Sequence, residues 1–281
     1  MQDIAIKKNV QFGIHDGDAL TADYYGPQRP GTYPALVALH GGAWKIGSSD
    51  GYQHWGQCLA QQGYALFSVN YRLVQGAKNR HPAAVHDARA AVQFLRSNSE
   101  EFQVDPDRIG LMGDSAGAHL SAMVALTGDA PPFADAYQDD AYAGVSTRVK
   151  VVIGVYGVYD LLDQWNHDQI SRPLDQITEG LLGQSPMQSK QIFYEASPLT
   201  YTTLENNHTA FLVVWGTEDD VVDTPSQSGV FVNALKQAGF YVRTVIVPGA
   251  PHFWMWDPID EPASHTAFLV PRLLRFLRER L

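Results

Sequence analysis

Short apolar runs recur along the chain near residues 4 to 11, 19 to 25, 34 to 40, 64 to 70, 108 to 112, 149 to 156, 210 to 215 and 241 to 247. Their lengths and their Gly, Pro, Asn and Asp boundaries read as strands rather than helices. From the third run onward they alternate with helix-like stretches, the pattern of βαβ units in a mostly parallel sheet covered on both faces. The expected fold is therefore a single α/β domain spanning residues 1–281 and built on an eight-stranded sheet. The first two runs are separated by Asp16-Gly17-Asp18, a turn signal that predicts an antiparallel hairpin at the sheet edge. That hairpin uses most of the residues ahead of the third strand, leaving no room there for a helical cap.

Two stretches break the alternation. Residues 129 to 147 carry several acids and no Lys or Arg before the end of the segment, and read as a surface loop. Residues 160 to 206 are rich in Gln, Ser, Asp and Pro, with one helix expected around Leu174 to Leu182. A segment of that length between the sixth and seventh strands is expected to be a lid, and Trp165, Phe193 and Tyr194 argue for a packed one. The last ten residues, from Arg272 to Leu281, are basic and amphipathic, as the outer face of a final helix would be.

Candidate chemistry sits at the strand ends. Gly113-Asp-Ser-Ala-Gly117 joins the run Arg108-Ile-Gly-Leu-Met112 to a helix-like stretch from Ala118 to Leu126. Glycines at both ends of that pentapeptide permit a sharp strand-to-helix turn that would present the Ser115 hydroxyl at a helix head. The third strand runs into His40-Gly41-Gly42-Ala43-Trp44, whose main-chain N–H groups suit an oxyanion hole. The seventh strand ends in Thr217-Glu218-Asp219-Asp220 and the eighth in Pro248-Gly-Ala-Pro-His252. The order Ser, Asp, His is that of α/β-hydrolases and differs from the chymotrypsin and subtilisin orders. A serine hydroxyl is a poor nucleophile at neutral pH, so His252 is the expected base and Asp219 the residue that fixes its tautomer. Gly41, Gly42, Ala43 and Ala116 are the expected oxyanion donors.

With Val69-Asn-Tyr-Arg-Leu73, His81-Pro-Ala-Ala-Val-His-Asp87, Val104-Asp-Pro-Asp-Arg-Ile109 and Gly216-Thr-Glu-Asp219, these motifs resemble the α/β-hydrolase carboxylesterases, in the branch of acetyl and feruloyl esterases (BD-FAE-like) and hormone-sensitive-lipase-like esterases. The resemblance runs from residue 34 to residue 255 and favours the capless acetyl and feruloyl type. It implies hydrolysis of short acyl or aryl esters through an acyl-enzyme, without a cofactor. Two departures are Ala43 in place of the third glycine of the oxyanion turn and Ala118 after the elbow. Among Glu218, Asp219, Asp220 and Asp223, the family's Gly-x-x-Asp-x-x-Val register selects Asp219, with Val222 completing it. A formamidase of the kynurenine type shares the same motifs, and a ligand receptor on the fold is the alternative from a different class, though such receptors lack the histidine that His252 supplies.

Trp44, Trp165, Trp254 and Trp256 are candidate substrate contacts, an aromatic wall suited to an aroyl group or a sugar face. Packing of strand ends against the lid is the competing role for these indoles. His119 and His40 are expected to brace the site, and Asp114 and Asp87 to make structural hydrogen bonds. His81, His86, His167, His208 and His265 show no metal-ligand spacing, so no metal is expected. A formal charge of −10 argues against nucleic acid as a partner. No run of 18 apolar residues predicts a membrane span, Cys58 is the lone cysteine, and the N-terminus lacks a signal-like apolar stretch. A cytoplasmic enzyme acting on a small-molecule ester is expected; a secreted mature form would read the same.

Overall fold

The computed structural model describes residues 3–281. Eight strands form one sheet: β1 (Ile4–His15), β2 (Asp18–Pro27), β3 (Tyr33–Leu39), β4 (Ala65–Asn70), β5 (Val104–Asp114), β6 (Val151–Val155), β7 (Ala210–Gly216) and β8 (Val242–Val247). Their spatial order is β1-β2-β4-β3-β5-β6-β7-β8. The expected hairpin is present, with β1 antiparallel to β2, and β2 in turn antiparallel to β4. From β4 to β8 every pairing is parallel. β1 runs to His15, beyond the apolar run that marked it, because two register shifts interrupt its alternation after Lys7 and after Gln11.

The central strands are buried on both faces, and their alternation sorts side chains into two cores. Ala35, Val37 and Leu39 of β3 join Phe211 and Val213 of β7 in one core. Leu36 and Ala38 join Leu212 and Val214 in the other. Helices α2 (Ala83–Ser97), α3 (Ala116–Thr127) and α7 (Val230–Gln237) cover the first face through residues such as Val85, Leu120 and Phe231. Helices α1 (Gln53–Gln61) and α8 (His265–Arg280) cover the second through Trp55, Leu59, Leu269, Leu273 and Leu277. No helix among the described residues is long and apolar enough to cross a membrane.

The segment between β6 and β7 holds three helices rather than one: α4 (Leu161–Ser171), α5 (Ile177–Leu182) and α6 (Gln191–Glu195). α5 begins later than expected, and Leu174, counted toward it from the sequence, is 95% exposed in the turn before it. α4 has little apolar periodicity, but it carries a capping signal. Asp160 accepts hydrogen bonds from the backbone N–H groups of Leu162 (2.9 Å) and Asp163 (3.0 Å). Leu161, Leu181, Leu182 and Phe193 join the first core, and Gln164 donates to the carbonyl of Val221 at 3.0 Å. The insertion is thus packed into the domain.

The acidic stretch after α3 is a series of turns, and two of its acids, Asp129 and Asp140, are hydrogen-bonded. Asp140 accepts from His15 Nε2 at 2.8 Å, while His15 Nδ1 meets Asp87 at 2.6 Å. Tyr137 stacks on the His15 ring at 3.8 Å. Arg72 donates to both oxygens of Asp87, and to Asp16. An imidazole with a carboxylate at each nitrogen donates from both, as imidazolium. This network fastens the loop to β1, α2 and the segment after β4.

Candidate active site

Ser115 sits between the end of β5 and the start of α3, where it is the N-cap residue, with φ 51° and ψ −118°, a strained conformation that costs on the order of 1–3 kcal/mol. Its neighbours enforce it. A Cβ on Gly117 would lie 1.8 Å from the carbonyl oxygen of Leu39, and one on Gly113 would lie 2.3 Å from the carbonyl of Gly117. Only glycine lets the elbow pack this closely against β3. The Ser115 N–H donates to Val155 (2.9 Å), and its carbonyl accepts from His119 N–H (3.1 Å). The hydroxyl makes no capping bond to its own helix, which leaves it for another partner.

That partner is His252. Nε2 of His252 stands 3.1 Å from Ser115 Oγ, and Nδ1 stands 2.8 Å from Asp219 Oδ2. The other Asp219 oxygen accepts the backbone N–H groups of Val221 (3.0 Å) and Val222 (2.9 Å). The two bonds fix the carboxylate's rotation. Of the competing acids in this loop, Asp223 instead accepts from Ser226 N–H at 3.2 Å. Close backbone packing positions acid and base: a Cβ on Gly216 would lie 2.0 Å from the Ala250 carbonyl oxygen, and Glu218 N–H donates to that carbonyl at 3.0 Å. Ser115 and His252 are 8% and 4% exposed.

The turn after β3 lies against the elbow. Gly42, Ala43 and Trp44 have φ of 111°, 52° and 59°, and a Cβ on Gly42 would lie 2.2 Å from the Ile46 carbonyl oxygen. Ala43 holds a left-handed conformation that glycine would adopt without cost. Gly41 departs from the expected set of donors, since its N–H is spent on Asp114 Oδ1 at 3.0 Å. The N–H groups of Gly42 and Ala43 have no partner among the described residues. With Ala116 N–H, which heads α3 and has no intrahelical acceptor, they form the electropositive side of the site.

Buried histidines brace this turn. His40 Nδ1 donates to the Gly41 carbonyl at 2.7 Å, and its ring stacks on Tyr71. His119 Nδ1 accepts from Trp44 Nε1 at 3.2 Å, and Nε2 donates to the Ala196 carbonyl at 2.8 Å. Those bonds set the His119 tautomer and link elbow helix, turn and insertion. Burial pushes both imidazoles down to about 4, so they stand neutral at pH 7.

A BD-FAE family model matches residues 22–235. The chain belongs to the BD-FAE family. Esterase LipC of Mycobacterium tuberculosis is similar at 32% identity over 229 residues, 80% of this chain and 54% of LipC. The probable carboxylic ester hydrolase LipM of the same organism is similar at 30% identity over 276 residues, 92% of this chain and 61% of LipM. The chain thus spans 54% and 61% of the length of these two relatives. A propionate-bound esterase of Thermogutta terrifontis shares the fold with TM-score 0.78 at 21% identity, covering 99% of this chain and 94% of that one. A carbohydrate esterase from gut microbiota does so with TM-score 0.78 at 22% identity, covering 98% and 95%. The fold is that of the α/β-hydrolases.

In this BD-FAE member the four tryptophans singled out from sequence occupy different places. Trp44 and Trp254 are each 1% exposed and present no face to solvent. Trp165 is half-buried in the insertion, donating to Glu179 at 2.7 Å. Trp256 is 38% exposed and lies over Gly51, where a Cβ would come within 2.8 Å of the indole. Three further residues were missed. Phe253 has φ 60° and is 66% exposed, with its ring edge-on to His252 at 4.4 Å. Tyr156, with φ 37°, packs on His252 at 4.4 Å. Tyr52 donates to Asp114 at 2.9 Å. Phe253 was in plain view beside the histidine; nothing local in the sequence marks Tyr52 or Tyr156.

Proposed function

We propose that this protein is a serine carboxylesterase acting on small esters. The observation that carries the reading is the continuous relay from Ser115 through His252 to Asp219, at 3.1 and 2.8 Å, beside free N–H groups. In the proposed reaction Ser115 Oγ attacks the ester carbonyl while His252 Nε2 accepts its proton. The developing oxyanion is held by the N–H groups of Gly42, Ala43 and Ala116, each worth roughly 3–4 kcal/mol when lost. The imidazolium, stabilised by Asp219, then protonates the departing alcohol and leaves an acyl-serine. Water activated by His252 releases the acid and restores the hydroxyl.

We assign the substrate a small acyl or aryl group, to be met by Phe253, which is 66% exposed and edge-on to His252 at 4.4 Å, and by Trp256, which is 38% exposed and bonded to Asp114 beside Ser115, since Trp44 and Trp254 are buried and offer it no face. We assign the packed insertion at 160–206 the part of a fixed cover. The relatives' names, an esterase and a probable carboxylic ester hydrolase, support the reaction class. Propionate- and butyrate-bound forms of the Thermogutta terrifontis esterase support short acyl groups.

Initial rates on p-nitrophenyl acetate, butyrate, octanoate and decanoate, with methyl ferulate and N-formylkynurenine alongside, test the reading in the parent and Ser115→Ala. Serine-dependent turnover highest on acetate or butyrate is the expected result. Turnover confined to N-formylkynurenine would make the protein an amide hydrolase instead, and rates unchanged in Ser115→Ala would remove the nucleophile from the scheme.

A further inference from the structure

The residue between Gly113 and Ser115 is the one that the elbow's backbone geometry leaves free, and here it is a carboxylate 2% exposed. Four donors from four separate segments converge on it. Asp114 Oδ1 accepts from Gly41 N–H in the turn after β3 (3.0 Å), Tyr52 OH just ahead of α1 (2.9 Å) and Trp256 Nε1 (3.2 Å). Oδ2 accepts from Tyr156 OH beyond β6 at 3.4 Å. The Tyr156 oxygen in turn accepts the N–H of Met255 at 3.1 Å. Two of the four ties therefore reach the loop that carries His252, and a third holds the turn that carries the free N–H groups. The fit is tight: a Cβ on Gly41 would lie 2.4 Å from Asp114 Oδ2.

We propose that Asp114 is a positioning residue, whose carboxylate locks the oxyanion turn and the histidine loop onto the strand that ends in the nucleophile. The inference rests on the esterase reading above. A buried carboxylate is costly unless fully hydrogen-bonded, and an apolar side chain of similar size would be a cheaper way to fill a core. What the carboxylate adds is direction, since it accepts from several donors at once and sets where each segment sits. A shift of about 1 Å in either half of the site is enough to lower turnover by about 100-fold.

The test compares the parent with Asp114→Asn and Tyr52→Phe, using p-nitrophenyl acetate. Competent sites are counted by stoichiometric labelling of Ser115 with an organophosphorus ester, so that kcat is expressed per folded site. Asp129→Asn is the control, because Asp129 is also a multiply bonded carboxylate, accepting from Thr147 N–H (2.6 Å) and Oγ1 (2.7 Å) away from the site. Asp114→Asn should lower kcat per site by about 10- to 100-fold with KM within about threefold of the parent. Tyr52→Phe, which deletes one donor, should lower kcat severalfold in the same sense. A kcat per site within twofold of the parent in Asp114→Asn, or a loss no larger than that in Asp129→Asn, overturns the proposal. If Asp114→Asn does not fold, Tyr52→Phe decides, and an unchanged kcat there overturns it. Should the parent hydrolyse none of the esters, the esterase reading fails on its own. The rate of Ser115 labelling then still reads the positioning, and equal rates in parent and Asp114→Asn overturn it.

Discussion

Asp219 and Asp223 sit four positions apart in one acidic loop, and hydrogen bonding separates them. Asp219 holds His252 Nδ1 and is itself fixed by two backbone N–H groups, whereas Asp223 is turned toward Ser226. Asp219→Asn should cut kcat by about 10⁴-fold, because an amide favours the wrong imidazole tautomer. Asp223→Asn should keep kcat within a few-fold, and steady-state kinetics of the pair gives the comparison. Phe253 is a second residue whose circumstances point to use. A bulky side chain with φ 60° that is 66% exposed gains little from packing to offset its backbone strain. Phe253→Ala should raise KM for p-nitrophenyl butyrate or methyl ferulate severalfold and leave kcat near the parent value. A change in kcat alone would assign the ring to holding His252. At this scale the sequence singled out Ser115, Asp219 and His252 by residue type and order, and the structure brings those three side chains within hydrogen-bond reach. The sequence did not disclose that Gly41 gives its N–H to Asp114, because that depends on where a side chain from another strand arrives.

Strands were more legible than helices. The alternation that sorts β3 and β7 into two cores is a property of the chain itself, so seven strand positions emerge within a few residues; β5 starts earlier, at Val104, where residues 104–107 include Pro106 and little apolar pattern. The helices between β6 and β7 were harder, because α4 buries only part of one face and most of its side chains are polar. Its start depends on Asp160 and on Gln227. The Gln227 side chain accepts from the N–H groups of Tyr159 (2.7 Å) and Asp160 (2.9 Å) and donates to the Asp160 carbonyl (2.8 Å). Asp160→Ala should cost about 1 kcal/mol as a lost cap. Gln227→Leu should cost more, about 2–3 kcal/mol, since it strands buried backbone groups. Urea unfolding of the two variants should give that order, and the reverse order would show that the cap, not Gln227, holds the segment.

Across the whole molecule, buried histidines set opposing pH limits. Burial lowers His40 and His119 to about 4 in the folded state, below the unfolded value near 6.5. Between those values the unfolded chain binds more protons, so stability falls as pH drops from 6.5 toward 4, by up to about 1.4 kcal/mol per pH unit for each histidine. His15 works the other way. Burial opposes its charge, but Asp87 and Asp140 outweigh burial and raise it. Its contribution is complete below 6.5 and is lost as pH rises through its folded value. Unfolding free energies at pH 4.5, 6.5 and 8.5 should therefore peak at the middle value, and His15→Gln should flatten the alkaline side. An unaltered alkaline slope in that variant would remove His15 from the account.

The relay also has a temporal meaning. Ser115 and His252 meet across 137 residues of chain, and the stretch matched by the family model, 22–235, contains the serine and the acid but ends before the base. His252 follows the sheet's last strand, which pairs only with β7. A refolding chain can bury Trp44 against His119 in α3 while still holding no base, whereas Trp55 donates to the Met255 carbonyl and is buried only with the C-terminal segment. In a variant whose other tryptophans are replaced by Phe, recovery of any turnover should then lag recovery of Trp44 fluorescence, because the relay is complete only when the C-terminal segment docks.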